Sequence, residues 1–565
     1  MASRGLRSPI SAGASNVSVN VNATPLAKDI FTRWKSAKNK RSNWEWQWQD
    51  VLKFLVPQKA FVTRQRSVLG EQLDTQIYDT TARIANQTMA SGFQGNLTNP
   101  ATRWFSLRIQ KQELNEPKEV KLWLSEVQNT MFDVFAGSNF DEQIHECYSD
   151  LGSAGTSILF EVEDPISVVR FRCMHVSEVA IGEDHNERVV ETYRQYSLTA
   201  MQAFTKWGDK APKIVHDKIL KKQFDDPIMF LHAIFPREFR DVSSETSNNL
   251  PIASVHMELE SQHIIQVGGF EENPMMVTRF FKVSGDPYGY SPGIIMLPDI
   301  KMLNIVTRTI IRAAQKIVDP PLILPHDGFL LPLNTVPAGI NYKISGNPND
   351  KIEPLLTGGN IPVGREEQAD LRAAINKGYF TDLFLTLADK RNMTATEVVE
   401  RVQEKMLILG PVLGRLQTEM LDPIIGRTFN ILLRKKLIPD PPPILEGQDF
   451  TIEYISPLAN AQRGARVTSI TNILGLTGQI AQIVPEVVDK VNTDKVIDEA
   501  AEVFGVNPNL IRSEEEVIAI RNQRAELQQK IAQQEQETQI ADVIKKGASA
   551  EKDLAEANAA ETANA

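Results

Sequence analysis

Between Lys301 and Val318 the chain carries four cations and no acid, inside a stretch whose two ends are set by proline. Pro287, Gly289, Pro292, Gly293 and Pro298 punctuate its start, and Asp299 stands in the first turn. Asp319-Pro320-Pro321 closes it, because proline has no amide hydrogen and its ring strikes the preceding turn. The segment from Asp286 to Leu322 is therefore expected to be a helix. At about 100° per residue, Lys301, Arg308, Arg312 and Lys316 fall within roughly 80° of one another. Met302, Leu303, Val306, Ile310, Ala313, Ala314 and Ile317 cover the opposite side. With ~1.5 Å of rise per residue the cationic stripe is about 22 Å long. A solvated helix face usually mixes signs, and this one does not. Any fold must seat one side of this helix and leave the other to solvent or to a partner.

The rest of the composition limits that use. The chain has 565 residues, enough for two to four structural units, and a net charge of −10 from 61 basic and 71 acidic residues. A generic nucleic-acid coat, which binds through many phosphate-neutralising cations, is excluded by that balance; contact with DNA would be local and light. Cys147 and Cys173 stand in no metal-ligand spacing and are expected as two buried thiols in a reducing compartment. The N-terminal stretch has no apolar core of signal-peptide length, and no run approaches ~18 apolar residues, so neither a secretory leader nor a membrane span is expected.

Taken in order, residues 1–24 are rich in Ser, Asn, Ala and Gly and are expected to be a flexible tail. A helical pattern then runs from Pro25 to Pro57 through Trp34, Trp44, Trp48 and Leu55. Trp44 and Trp48 share a face and Trp46 points elsewhere; the pair is read as core packing in preference to a base-stacking platform. Further helices are expected at 79–95, 116–136 and 139–154. Strand-like segments follow at 156–162, 168–173 and 189–196, which makes the fold class α+β. From 211 to 285 come strands at 229–235, 252–259, 264–267 and 276–283, with hairpin signals at Ser247-Asn248-Asn249 and Gly268-Gly269. That stretch is read as a small β-rich module interrupting the main body. Residues 322–364 read as short strands and turns, and helices resume at 365–378, 394–409 and 412–437. Phe384 to Met393, with Asp389, Lys390 and Arg391, reads as an exposed polar loop. A long helix that contacts copies of itself is expected from Glu514 to Lys546, followed by an Ala-rich end that frays.

No phosphate loop with its lysine, no HExxH, no nucleophile elbow and no kinase signature occurs in the sequence. The carboxylate pairs Asp225-Asp226 and Glu271-Glu272 leave a metal-dependent nuclease as a minor alternative, and a non-channel scaffold or tail protein as another.

Several runs together resemble the portal, or head-to-tail connector, proteins of short-tailed phages. They are Tyr288-Gly289 with Ser291-Pro292, the LPDIKMLN run from Leu297 to Asn304, Pro320-Pro321, the TATEV run from Thr394, and LGPVLGRLQTE from Leu409 to Glu419. The resemblance implies an α+β, helix-rich subunit with wing, stem, β-rich clip and helical crown, repeated about twelve times in a ring. On it, 25–210 is wing, 211–285 clip with flanking stem, 286–321 stem helix, 322–383 wing return, 384–393 tunnel loop with Gly346 to Gly364 as the rival placement, 394–510 a crown-side helical region and 511–565 a C-terminal helix and tail. It implies no enzyme activity and no cofactor. Implied partners are double-stranded DNA passing through, a terminase large subunit, tail adaptors, and capsid and scaffolding proteins, in the virion and, during assembly, the host cytoplasm. Candidate channel residues are Lys301, Arg308, Arg312 and Lys316 on the stem and Lys390 and Arg391 in the loop. Sparse cations suit a conduit, since each neutralised phosphate releases counterions and strengthens binding.

Overall fold

The computed structural model describes residues 23–63, 77–115, 117–238, 240, 246–324, 329–335, 340–343, 351–355, 361–388, 409–445, 450–454, 474–480, 492, 494–497, 512 and 514–562. The chain divides into two compact units. One comprises residues 1–107, 126–440 and 452–461, and the other 108–125, 441–451 and 462–565.

The elements run α1 (Ala23–Leu55), α2 (Thr81–Leu97), β1 (Phe105–Ile109), α3 (Lys118–Ala136), α4 (Phe140–Ala154), β2 (Thr156–Asp164), β3 (Val168–Met174), β4 (Val179–Glu183), β5 (Val189–Thr199), α5 (Ala200–Trp207) and α6 (Lys213–Leu220). Then come β6 (Pro227–Pro236), β7 (Ile252–Glu258), β8 (Ile264–Phe270), β9 (Met275–Arg279), the single turn α7 (Pro292–Ile295), α8 (Leu297–Val318), β10 (Leu322–Ile323), β11 (Glu353–Pro354), α9 (Ile361–Gly378) and α10 (Thr381–Ala388). Further helices cover Asp422–Arg434 and Glu514–Thr562. This is the α+β mixture that the sequence leads one to expect.

Two antiparallel sheets organise the first unit. One has three strands in the order β3-β2-β9, and the other five in the order β4-β5-β6-β7-β8. The five-stranded sheet corrects the expected module at 211–285. Strands β6, β7 and β8 extend the ladder begun by β4 and β5, with Thr192 to Thr199 paired to Ile234 to Pro227. Strand β9 leaves that ladder and pairs with β2. Residues 211–285 are thus woven into the body and form no module of their own.

Both faces of the larger sheet are covered, which explains why β6 reads as an almost unbroken apolar run, PIMFLHAIFP. On one face Ala27, Ile30, Trp34 and Ala37 of α1 pack on Ala180, Tyr193, Leu231, Ala233 and Val255. On the other, Ala203 and Trp207 of α5 and Val215 of α6 pack on Tyr196 and Phe230. Helix α5 starts with a reciprocal cap: the Thr199 side chain accepts from the Gln202 amide at 3.2 Å, and Gln202 Oε1 accepts from the Thr199 amide at 3.1 Å.

Gly268 and Gly269 do not turn a hairpin. They lie inside β8, opposite Ser254 and Ala253, and a side chain on Gly269 would meet the backbone oxygens of Ile252 and Ser247. The β7–β8 turn is closed instead by the Glu258 carboxylate, which accepts from the amides of Glu260 at 2.8 Å and Ser261 at 2.7 Å.

Trp44 and Trp48 are buried and Trp46 is 71% exposed, as the spacing implies. Trp48 Nε1 donates to the Ala154 carbonyl at 3.0 Å, and its ring meets Tyr288 edge-on at 5.0 Å. Cys147 is buried, Cys173 half-buried, and both are free thiols. No helix among the described residues is long and apolar enough to cross a membrane.

Two other expectations are revised. Phe384 to Ala388 belongs to α10, with Phe384 packed edge-on against Phe93 at 5.5 Å, so the expected polar loop cannot begin at Phe384. In the second unit, the helix from Glu514 runs to Thr562, through the Ala-rich segment expected to fray, because alanine is the strongest helix former. There Lys118 pairs with Glu516 at 3.0 Å, and Arg521 with Asp494 at 2.6 Å.

Candidate functional site

Because Tyr290 bridges to Phe281, Pro292–Ile295 forms a separate turn and Leu322 lies in β10, helix α8 is shorter than the expected Asp286–Leu322. Pro298 lies in its first turn with Asp299 beside it, and Asp319 caps its end. Its first half is seated by Ile300, Leu303, Asn304 and Thr307, all buried. The second half is not seated: Ile311, Ile317 and Val318 are exposed beside Arg312 and Lys316. The apolar side read from the sequence is therefore only partly a core face, and Met302 and Ile317, expected inside, lie outside.

Helix α9 runs antiparallel to α8. Gln368 Nε2 donates to Thr307 Oγ1 at 2.8 Å, Gly364 lies against Ile310, and Gly378 lies against Met296. Between the two helices the chain makes an excursion in which β10 and β11 pair, Leu322 with Pro354 and Ile323 with Glu353, all four exposed.

Asn304 holds the pair to the N-terminal region. Its Oδ1 accepts from the amides of Tyr78 at 2.9 Å and Asp79 at 3.3 Å. Arg372 of α9 grips the Asp79 carboxylate through Nη2 at 2.7 Å and Nε at 3.0 Å. Burial works to raise the Asp79 carboxyl, but hydrogen bonds from Thr81 and the Arg372 guanidinium outweigh it and hold it below the usual carboxylate range.

The four candidate cations on α8 are not equivalent. Lys301 Nζ lies 2.5 Å from Asp50 Oδ2 of α1, so its charge is answered within the subunit. Arg308 lays its guanidinium over the Tyr78 ring at 5.7 Å. Among the described residues no carboxylate pairs with Arg312 or Lys316, at the unseated end. The structure thus splits the stripe into a neutralised start and an open end. Lys390 and Arg391 lie outside the described residues, as do Thr394 to Val398 of the TATEV run. Sequence reasoning missed Asp50, Asp79 and Arg372; an asparagine on the seated side of α8 was the one local sign that a polar partner must meet it.

One carboxylate of each pair that left a nuclease open is engaged elsewhere. Glu272 is held by Arg434 at 2.7 Å and Arg427 at 3.2 Å, and Asp226 by Lys218 at 3.4 Å. No group of three or more metal-ligating side chains occurs among the described residues.

Against family models, that for the bacteriophage head to tail connecting protein matches residues 27–511. The chain belongs to this family. Curated relatives of this connector protein include the "Probable portal protein" of Bordetella phage BPP-1, 34% identical over 517 residues, covering 90% of the chain and 92% of that protein. The "Portal protein" of Salmonella phage epsilon15 is 32% identical over 496 residues, covering 86% and 89%. Among solved structures, the "Virion of native gene transfer agent (GTA) particle" aligns over 70% of the chain and 84% of its own, at 10% identity and a TM-score of 0.33, too distant to bear on the argument. As a connector the protein is a structural component and not an enzyme.

The runs that carry the resemblance hold this connector together. Gly155 ends α4 at a left-handed φ of 78°, and its backbone faces that of Gly289 so closely that a side chain on either would strike the other's carbonyl. Ser291 Oγ donates to the Ser153 carbonyl at 2.7 Å and accepts from the Ile294 amide at 2.8 Å. In the LGPVLGRLQTE run Leu409, Val412 and Leu416 are buried, and Glu419 lies in a five-residue π-helical segment, Gln417–Leu421, just before Pro423.

Proposed function

We propose that this connector protein is the subunit of a portal: a ring at one capsid vertex through which double-stranded DNA enters during packaging and leaves during ejection. Two relatives named portal proteins, each about a third identical over most of the chain, carry this reading. The ring has about twelve copies, nucleates the capsid with its scaffolding proteins in the host cytoplasm, and receives first a terminase large subunit and then tail adaptors. Energy for transport comes from the terminase.

The paired helices α8 and α9 serve as the stem, and the excursion between them, with the β10–β11 pair at residues 322–354, serves as the clip. What supports this is that two antiparallel helices bracket an exposed strand pair, whereas 211–285 is built into a sheet. Cyclic repetition turns the open end of one cationic edge into a circle of charge. Arg308, Arg312 and Lys316 meet the passing duplex, with Lys390 and Arg391 at the narrowest point, while Lys301 is committed to Asp50.

Negative-stain microscopy of the purified chain tests the reading. Rings with an axial hole about as wide as a duplex are expected, and filaments or monomers alone would sink it.

A further inference from the structure

Residues from three elements that the portal reading leaves unused gather where the two sheets meet. Arg172 of β3 stands opposite Phe160, whose ring meets that of His232 at 6.1 Å; the Arg172 side chain is exposed and makes no hydrogen bond to a described residue. Arg194 of β5 gives Nε and Nη2 to Glu178, each at 2.9 Å, and lies over the Tyr196 ring at 4.6 Å. Lys206 of α5 donates from Nζ to Tyr196 Oη at 3.3 Å and stands over the Trp207 ring at 4.5 Å. Trp207 is only 8% exposed, and its indole N–H reaches no acceptor.

Positive charge here is not answered. Arg194 pairs with Glu178, Arg172 feels the same carboxylate, and Lys206 lies near both arginines, so positive charge exceeds negative. Although the Lys206 side chain as a whole is exposed, loss of water around its ammonium, together with Arg194 and Arg172, pushes it down to about 8. The floor beneath adds no negative charge: the rings of His232 and His256 stack at 3.9 Å, and burial together with nearby positive charge holds both neutral. A ligand that supplies acceptors and negative charge would answer that excess.

The geometry points to a phosphate-binding site formed by Arg172, Arg194 and Lys206 beside the Tyr196 ring. The excess of positive charge favours phosphate over carboxylate, since phosphate brings more negative charge and more acceptor oxygens to Arg172, Arg194 and Lys206 together. The phosphate is either free inorganic phosphate or the backbone of nucleic acid. The site stands independently of the ring and of the channel.

Titration calorimetry on the full chain with inorganic phosphate tests it, comparing wild type, Arg172→Gln with Lys206→Gln, and Lys210→Gln with Lys213→Gln as a variant losing equal charge nearby. Wild type and the control pair bind alike, and the first pair loses about tenfold or more in affinity. Lys206→Arg, which keeps the charge, retains most of it. Anisotropy of a short labelled duplex then separates the sources. Duplex binding that phosphate displaces and that Arg172→Gln with Lys206→Gln weakens assigns the backbone, and duplex binding indifferent to both assigns the free anion. No heat with phosphate, a first pair that binds like wild type, or acetate competing as well as phosphate overturns the proposal.

Discussion

Arg279 Nη2 donates to Glu419 Oε1 at 2.5 Å, joining β9 to the π-helical segment 140 positions further along the chain. The same guanidinium reaches Glu183 of β4, and Glu419 Oε2 accepts the Arg279 amide at 2.9 Å. Arg279 is 4% exposed, so its charge depends on these two carboxylates.

Removing one partner leaves a buried cation half-answered. Glu419→Ala is expected to cost about 3–5 kcal/mol, and Glu419→Gln less, because the amide still accepts. Thermal unfolding of the purified variants measures this, and midpoints equal to wild type would show that the pair carries no stability.

Glu161 of β2 is fully buried; its Oε1 accepts from Thr428 Oγ1 at 2.9 Å, and its Oε2 has no partner. Burial, only partly offset by Arg427 and Thr428, pushes the carboxyl from 4.5 up to about 8. A raised acid favours the folded state when protonated. Its contribution is therefore complete below about pH 4.5 and is lost as pH rises through about 8, at no more than ~1.4 kcal/mol per pH unit. Glu161→Gln should flatten the stability curve in that window, and an unchanged curve in unfolding scans from about pH 5 to about pH 9 would refute the assignment.

The two ends of α8 should separate on mutation. Lys301→Met removes a half-exposed pair with Asp50 and is expected to cost less than about 1 kcal/mol without altering DNA-filled heads. Arg312→Glu with Lys316→Glu should leave stability within about 0.5 kcal/mol and rings intact, yet lower the yield of filled heads. Lys390→Glu with Arg391→Glu should do the same. Counting filled and empty heads after assembly decides each case, and normal yields would remove that pair from the channel.

Glycines at close backbone approaches should respond oppositely to those in open helix. Gly289→Ala meets the Gly155 carbonyl and is expected to destabilise by about 1–3 kcal/mol. Gly426→Ala, with nothing near its added carbon in the helix Asp422–Arg434, should stabilise by about 0.5–1 kcal/mol. Equal shifts at the two positions would contradict the close contact.

Much of the fold was legible because periodicity is local. Trp44 and Trp48 four apart, Pro298 with Asp299, and the β-branched runs at 156–162 and 189–196 announce their elements through spacing alone. What spacing cannot carry is which strands pair. Nothing near Phe230 says that its neighbours are Tyr196 and Glu258, and so a woven sheet looked like a separate module. The candidate site was legible as a stripe and illegible as an electrostatic surface, because Asp50, which neutralises Lys301, lies 251 residues away. Phe384 to Ala388 misled for another reason: its neighbours Asp389 to Arg391 drew attention from an apolar FLTLA helix turn.

The shared five-stranded sheet also governs how this chain can be rebuilt. A hybrid joined to a relative near residue 210 would take β6, β7 and β8 from one parent and β4 and β5 from the other, and the β5–β6 seam would have to match across a graft. Exchange at the β10–β11 excursion meets no such seam, since those strands pair with each other, and that is where transplanted tips should be tolerated.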